Sequence, residues 1–276
     1  MLIKWAGGKS WLTKNHPYVF HSKESIKNED IDHKSIEFNR YIDPFLGGGA
    51  VFRYLKPSKS ILSDVNEELI AFYKCLKLVP EELYNEVKIY FSNHSKEYYY
   101  STRATLEKEE LKIAARFLYL NYTCYNGIYR VNQSNLFNVP IGDRSSYHYQ
   151  LEDFISKSKL LSESEIKIQD FRKTILEAKH NDLLYIDPPY VTKKNKTFNK
   201  YSPKVFSWDD QVDLSILLQL KHDEGVNIVI SNINDSEIRD LYSVSKGWSH
   251  KPLNRANILT YKATEKKYKE IIISNI

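Results

Sequence analysis

Tyr41-Ile42-Asp43-Pro44-Phe45-Leu46-Gly47-Gly48-Gly49 decides the fold. Tyr41 to Leu46 reads as a strand. The glycines break it, because they take backbone angles closed to other residues and let the chain approach a ligand closely. A short helix is expected to follow, through Leu55. Ile61-Leu62-Ser63 reads as a second strand ending at Asp64, and Asn66 can cap a helix whose apolar positions Leu69, Ile70, Tyr73 and Leu76 fall at helical spacing. Strand, glycine turn, helix, strand and terminal acid, in that order, open a nucleotide-binding α/β sheet. A dinucleotide fingerprint needs Gly-x-Gly-x-x-Gly, and Phe52 stands where its last Gly should be, which disfavours an NAD-dependent dehydrogenase. Asp64 lies at the right distance to accept ribose hydroxyls; it serves equally as the acid in front of a helix.

Upstream lies a compact cluster, Lys4-Trp5-Ala6-Gly7-Gly8-Lys9-Ser10, and then a polar stretch to about residue 37 that reads as a surface excursion. A phosphate-loop reading of Gly7-Gly8-Lys9-Ser10 fails, because its first Gly would fall on Ile3 and no strand precedes it. Lys9 beside a flexible Gly pair suits a ligand carboxylate instead, with Trp5 covering it.

Downstream, strand–helix alternation stops between about residues 78 and 150. Leu83, Val87 and Tyr90, then Leu111, Ala114, Ala115, Leu118 and Tyr119, read as amphipathic helices. After Asn121 to Gly127, Ile128–Arg130 and Leu136–Val139 flank a polar turn at Asn132–Asn135 and read as a hairpin. Alternation returns with Ile166–Ile168, Leu183–Ile186, a helix from Trp208 to about Lys221, a strand over Val226–Ser231 and a last one over Tyr268–Ser274. A helical module thus interrupts an α/β sheet, giving an expected catalytic unit of residues 1–77 and 150–276 and an inserted unit of residues 78–149.

Asp187-Pro188-Pro189-Tyr190 closes the apolar run Leu183-Leu184-Tyr185-Ile186, where a buried strand ends and open α/β sheets bind ligands. A carboxylate, a carbonyl stiffened by proline and an aromatic ring suit the activation of a planar amino group on a nucleobase. Hydrogen bonds from both amine N–H groups, to the Asp187 carboxylate and the Pro188 carbonyl, draw the nitrogen toward sp³ geometry. Its lone pair can then attack a sulfonium methyl in line. Position and electrostatics carry such a reaction, with no metal and no covalent enzyme intermediate. Tyr190 would stack on a base taken out of the duplex. A strand followed by a Pro-Pro turn and a surface Asp is the plainer reading of the same four residues.

Bulk composition permits this chemistry without requiring it. The chain has 276 residues, 42% hydrophobic and 27% charged, which describes an ordinary soluble globular protein. A net charge of +5 allows a polyanionic partner. Lysines cluster at Lys193, Lys194, Lys196, Lys200 and Lys204 and again at Lys262, Lys266, Lys267 and Lys269, where solvated loops account for them equally well. The two cysteines, Cys75 and Cys124, show no zinc spacing. No signal peptide or membrane-span pattern is present, so a reduced cytoplasmic protein without membrane association is expected.

These elements, in this order, resemble the Dam-type DNA adenine-N6 methyltransferases (D12 class, alpha group) over most of the chain. The resemblance implies a Rossmann-like S-adenosylmethionine-dependent sheet with an inserted, mainly helical target-recognition domain and β-hairpin. It implies that Trp5, Ala6, Gly7, Gly8 and Lys9 bind S-adenosylmethionine with Asp43, Pro44, Phe45, Gly47 and Gly49. Asp64 would bind the ribose, Asp170 and Phe171 of Gln169-Asp170-Phe171 the adenine, and Asp187 would touch the cofactor as well as act in the catalytic tetrapeptide with Pro188, Pro189 and Tyr190. Lys4, Tyr125, Asn126, Arg130, Asn132 and Asn138 would engage DNA, and Phe198, Tyr201 and Phe206 would cover the flipped base, with a small core of that loop's own as the alternative. Arg130 could read a guanine edge; a phosphate contact or a structural ion pair is its alternative. Three departures stand out: a long stretch between Lys9 and Asp43, Ile141 where a Phe is common, and few glycines between Arg255 and Lys266.

The resemblance further implies a prokaryotic or phage-encoded monomer that acts on double-stranded DNA, with GATC or a related palindrome as target and a cognate restriction endonuclease as partner. An RNA base-amine methyltransferase and a DNA-binding relative without activity are the competing readings.

Overall fold

A computed structural model describes residues 2–20, 36–132, 134, 136–193, 206–255 and 268–276. Ten α-helices and seven strands occur among them. In chain order these are α1 (Ser10–Asn15), β1 (Tyr41–Asp43), α2 (Ala50–Leu55), β2 (Ser60–Asp64), α3 (Glu67–Leu78), α4 (Pro80–Ser92), α5 (Lys96–Ala104), α6 (Glu110–Thr123) and α7 (Leu151–Leu161). Then come β3 (Ser164–Ile168), α8 (Phe171–Leu176), β4 (Leu183–Ile186), α9 (Trp208–Asp223), β5 (Asn227–Ile233), α10 (Ser236–Leu241), β6 (Ser249–Arg255) and β7 (Tyr268–Ser274).

The strands form one sheet in the order β3-β2-β1-β4-β5-β7-β6. The first five are parallel, with Tyr41 of β1 opposite Ser60 of β2 and Leu183 of β4. β7 runs antiparallel to both β5 and β6. Strand order reverses between β1 and β4, so the loops leaving their carboxyl ends, residues 44–49 and 187–190, frame the crevice where such sheets take ligands.

Alternation along the strands divides the core. Tyr41, Leu62, Leu183, Tyr185, Val229 and Ile272 face one cluster, shared with α2, α3, α4, α6 and α7. Ile42, Ile61, Leu184, Ile186, Ile228, Ile230, Ile271 and Ile273 face the other, shared with α8, α9, α10 and Trp248. Both faces of β4 are therefore covered, which is why its four residues read as one unbroken apolar run.

Local signals fix the helix starts. The Asn66 side chain accepts the Leu69 N–H at 2.9 Å ahead of α3, and Pro80 stands at the first turn of α4. Ser207 and Asp210 form a reciprocal capping box at the head of α9.

Several expectations change in detail. The first strand ends at Asp43 rather than Leu46. α6 is not amphipathic: every residue from Ala114 to Thr123 is buried, with α3, α4 and α5 packed against it. Its one charged member there, Arg116, is kept satisfied by Glu68 at 2.7 Å and by the carbonyls of Thr102 and Arg103. Among the described residues the expected hairpin is represented by two isolated antiparallel bridges, Cys124 with Ile141 and Val131 with Phe137. β6 had no apolar alternation to reveal it and carries Pro252, which an edge strand tolerates. α1, α5, α7, α8 and α10 are likewise additions to the sequence reading.

Candidate active site

β1 delivers Asp43 to the crevice buried, 2% exposed. Its carboxyl group accepts the Tyr41 hydroxyl at 2.9 Å and the Phe45 N–H at 3.2 Å. Burial pushes the Asp43 carboxyl up to about 7; the two hydrogen bonds oppose that rise, and the nearby Asp187 and Asp64 charges add to it. Tyr41 and Asp43 are two apart on a strand and so share a face, a signal present in the sequence itself.

The glycine loop then turns. Gly47 has φ +44° and Gly49 φ +58°. A Cβ on Gly47 would lie 2.6 Å from the indole of Trp5, so only glycine lets this loop pass beneath that ring. Trp5 in turn stacks on Tyr129, with centroids 5.4 Å apart and planes at 21°. Tyr129, absent from the expected site residues, is anchored by its hydroxyl to Glu68 at 3.0 Å. Pro44 is buried, whereas Ala6 and Gly7 are exposed beside Trp5.

β2 ends at Asp64, whose carboxyl oxygens accept N–H groups from Gly47 at 3.1 Å and Asn66 at 3.0 Å. Burial raises its pKa against the pull of those hydrogen bonds. Across the crevice Phe45 stacks on Phe171 at 5.4 Å, and Phe206 meets both rings at 5.8 and 5.6 Å. Asp170 is exposed and caps α8 by accepting the Arg172 N–H at 2.9 Å.

Asp187 follows directly on β4. The Lys9 ammonium lies 2.8 Å from its Oδ1, donates to the Gly7 carbonyl at 2.9 Å, and stands 5.0 Å from the centre of the Tyr190 ring. Lys9 is 3% exposed and Asp187 20%. Burial pulls the Lys9 amine down, but attraction to Asp187, Tyr190 and Glu270 outweighs it and holds the amine above its ordinary value. Pro188 is buried and Pro189 exposed. Burial raises the Tyr190 phenol well above its usual value, so it remains a neutral donor. Residues from three separate strand ends and the N-terminal segment thus converge on one crevice: Lys9, Asp43, Asp64, Asp187 and Tyr190.

A second group gathers beside it. The Lys4 amide donates to the Asn121 side chain at 2.9 Å and the Asn121 side chain donates back to the Lys4 carbonyl at 2.9 Å. A Cβ on Gly127 would lie 2.5 Å from Lys4 Cδ, so the turn Tyr125-Asn126-Gly127 rests on that lysine. Tyr125 is 55% exposed, and Asn126 holds a left-handed φ of 57°. Arg130 Nε donates to Asn138 Oδ1 at 2.8 Å, while Asn132 accepts the N–H groups of Ser134 and Leu136. Phe198 and Tyr201 lie outside the described residues, as do most of the clustered lysines.

Among the described residues no group of three or more His, Cys, Asp or Glu could hold a metal, and no helix is long and apolar enough to cross a membrane. Cys75 and Cys124 are buried and unpaired with each other.

A family model described as D12 class N6 adenine-specific DNA methyltransferase matches residues 5–265. The chain is similar to type II methyltransferase M1.LlaDCHI of Lactococcus lactis, 34% identical, covering 87% of this chain and 83% of that protein. It is also 34% identical to type II methyltransferase M.MjaIII of Methanocaldococcus jannaschii, with 83% of each chain covered. The DNA adenine methylase of Vibrio cholerae is 30% identical over 87% of this chain and 83% of its own length.

Proposed function

This chain belongs to the D12 class of N6 adenine-specific DNA methyltransferases, and on that premise we propose that it methylates adenine in duplex DNA by flipping the base into the β1/β4 crevice and transferring a methyl group directly from S-adenosylmethionine. One observation carries the reading: Asp187 and Pro188 stand at the carboxyl end of β4, with the Lys9 ammonium 2.8 Å from the carboxylate. The donor set fits that cofactor. Lys9 offers a cation to its carboxylate, Asp64 an acceptor to its ribose, Phe45 and Phe171 flat faces to its adenine, and the Gly47 loop a close backbone approach under Trp5. Bound there, the cofactor would supply an electrophilic sulfonium methyl.

The chain's own groups do the rest. The Asp187 carboxylate and Pro188 carbonyl accept the two amine N–H groups and orient the nitrogen lone pair. Tyr190 stacks on the extruded base and keeps water from it. Transfer to the amine nitrogen would leave it with one proton too many, and the Asp187 carboxylate, already accepting an amine N–H, is the group placed to take that proton and pass it to water. Because Asp187 is already paired with Lys9, it is held as an acceptor before substrate arrives, which is electrostatic preorganisation rather than induced charge.

Residues 78–149 are proposed as the target-recognition unit, with Lys4, Tyr125, Asn126, Arg130 and Asn138 toward DNA. Their grouping around the Lys4–Gly127 contact supports this. GATC is the proposed target. Two relatives are type II methyltransferases, which supports a cognate restriction endonuclease as partner of this chain too.

The test is transfer from labelled S-adenosylmethionine to unmethylated genomic DNA, followed by single-molecule mapping of modified adenines. One enriched palindrome bearing N6-methyladenine is the expected result. Incorporation into RNA and not DNA would overturn the reading.

A further inference from the structure

β7 is antiparallel, so its first residues, not its last, lie at the carboxyl ends of the parallel strands. Its Glu270 stands opposite Ile233 of β5 and Leu253 of β6, at the rim of the crevice. The residue is 4% exposed, at the head of the run Ile271-Ile272-Ile273. A carboxylate is costly to bury, and burial of one at the edge of an active-site crevice requires partners. The Tyr190 hydroxyl donates to Glu270 Oε2 at 3.2 Å, and Ser231 Oγ lies 3.2 Å from the same hydroxyl, placed to donate to it. The Lys9 ammonium is 3.9 Å from Glu270 Oε2.

We propose that Glu270 is a positioning residue for methyl transfer: through the Tyr190 hydroxyl it fixes the long axis of the ring against which the target base stacks. This rests on the reading that the crevice receives a flipped adenine. The ring of Tyr190 begins one residue past two prolines, so its Cα is set by the Asp187–Pro189 backbone. Rotation about its side-chain bonds is not set by that backbone. A phenol held at its far end by a carboxylate and a hydroxyl from two different strands has both ends fixed, whereas an unanchored ring could tilt and let the amine drift from Asp187 and the Pro188 carbonyl. Small misplacements of reacting atoms cost rate steeply.

Three variants separate this role from a structural one. Glu270→Ala should lower kcat by on the order of tenfold or more, with the KM for cofactor little changed. Glu270→Gln keeps a carbonyl that can accept from the phenol and should recover activity to within about threefold of the parent. In a Tyr190→Phe background, which has no hydroxyl to hold, Glu270→Ala should add little further loss, giving a strongly non-additive cycle. Fluorescence of a duplex carrying 2-aminopurine at the target position would report base stacking independently of turnover, with brighter, more mobile signal in Glu270→Ala than in the parent. Thermal unfolding of each variant controls for folding. Additive losses in the cycle, or a Gln variant as poor as Ala, would overturn the role through Tyr190 and assign Glu270 to the charge on Lys9. A parent chain that leaves 2-aminopurine fluorescence unchanged would instead overturn the base-flipping reading, and this inference with it.

Discussion

Lys9 and Asp187, 178 positions apart in sequence, form a 2.8 Å ion pair inside the crevice, which ties the N-terminal segment to the turn that follows β4. Removing one partner of a buried pair leaves the other uncompensated. Lys9→Ala should therefore lower stability by about 3 kcal/mol and reduce turnover, since Asp187 loses the cation that holds it as an acceptor. Asp187→Asn preserves shape but turns one acceptor oxygen into a donor facing the amine. It should abolish turnover while DNA binding, measured by gel shift, stays within about threefold. Substantial residual turnover in Asp187→Asn would defeat the mechanism.

Asp43 makes stability depend on pH with an uncommon sign for a carboxylate. Its folded value of about 7 lies above the ordinary carboxylate value of 3.8, so the folded state binds the proton more tightly. Stability from this group is fully present below the unfolded value and is lost as pH rises through about 7. The loss is of order 4 kcal/mol for the protein without ligands. Asp43→Asn, which remains neutral, should flatten that slope and unfold at a higher temperature than the parent at about pH 8. Parallel pH profiles of Tm for the two proteins would refute the assignment.

Asn121 holds the Lys4 peptide unit by both its N–H and its C=O, from 117 positions away. That pair fixes the entry of the segment that presents Trp5, Gly8 and Lys9. Asn121→Ala should cost about 1–3 kcal/mol, since it leaves backbone groups unpaired. Hydrogen exchange should speed at residues 4–9, and cofactor affinity should fall more than DNA affinity. Unchanged exchange over that segment would show that Trp5 packing alone suffices.

Much of this was legible in the sequence because it is local. The glycine loop after β1, the acid ending β2 and the tetrapeptide after β4 each sit at a strand end defined by its own neighbours. What escaped was non-local or lacked periodicity. β6 carries Pro252 and no apolar alternation; it exists because β7 gives it a partner. α6 looked amphipathic because Leu111, Ala114, Ala115, Leu118 and Tyr119 fall at helical spacing, yet Arg116 and Asn121 are also buried, on partners distant in sequence. Tyr129 and Glu270 matter through what they touch, and no spacing rule connects Glu270 to Tyr190, 80 positions before it. The hairpin was half legible: turn chemistry at Asn132 is local, whereas the number of rungs depends on packing against Tyr99 and Arg103, whose side chains donate to the Val139 carbonyl.

Arg130 decides whether specificity resides in this loop. Its Nε is donated to Asn138 Oδ1 at 2.8 Å, and Asn138 N–H in turn reaches the Arg130 carbonyl at 3.1 Å, so the two residues orient each other across the bridge. Reading a guanine edge takes a guanidinium fork held in one plane, and Asn138 supplies that constraint. Arg130→Ala should relax specificity at one base pair of the target, with a loss of about 1–3 kcal/mol confined to the cognate site. Asn138→Ala should give a weaker form of the same change, because the fork survives but is less ordered. The measurement is kcat/KM on a set of duplexes carrying each single substitution in the mapped site. An equal loss on every duplex, with a shallower salt dependence of binding, would make Arg130 a phosphate contact instead.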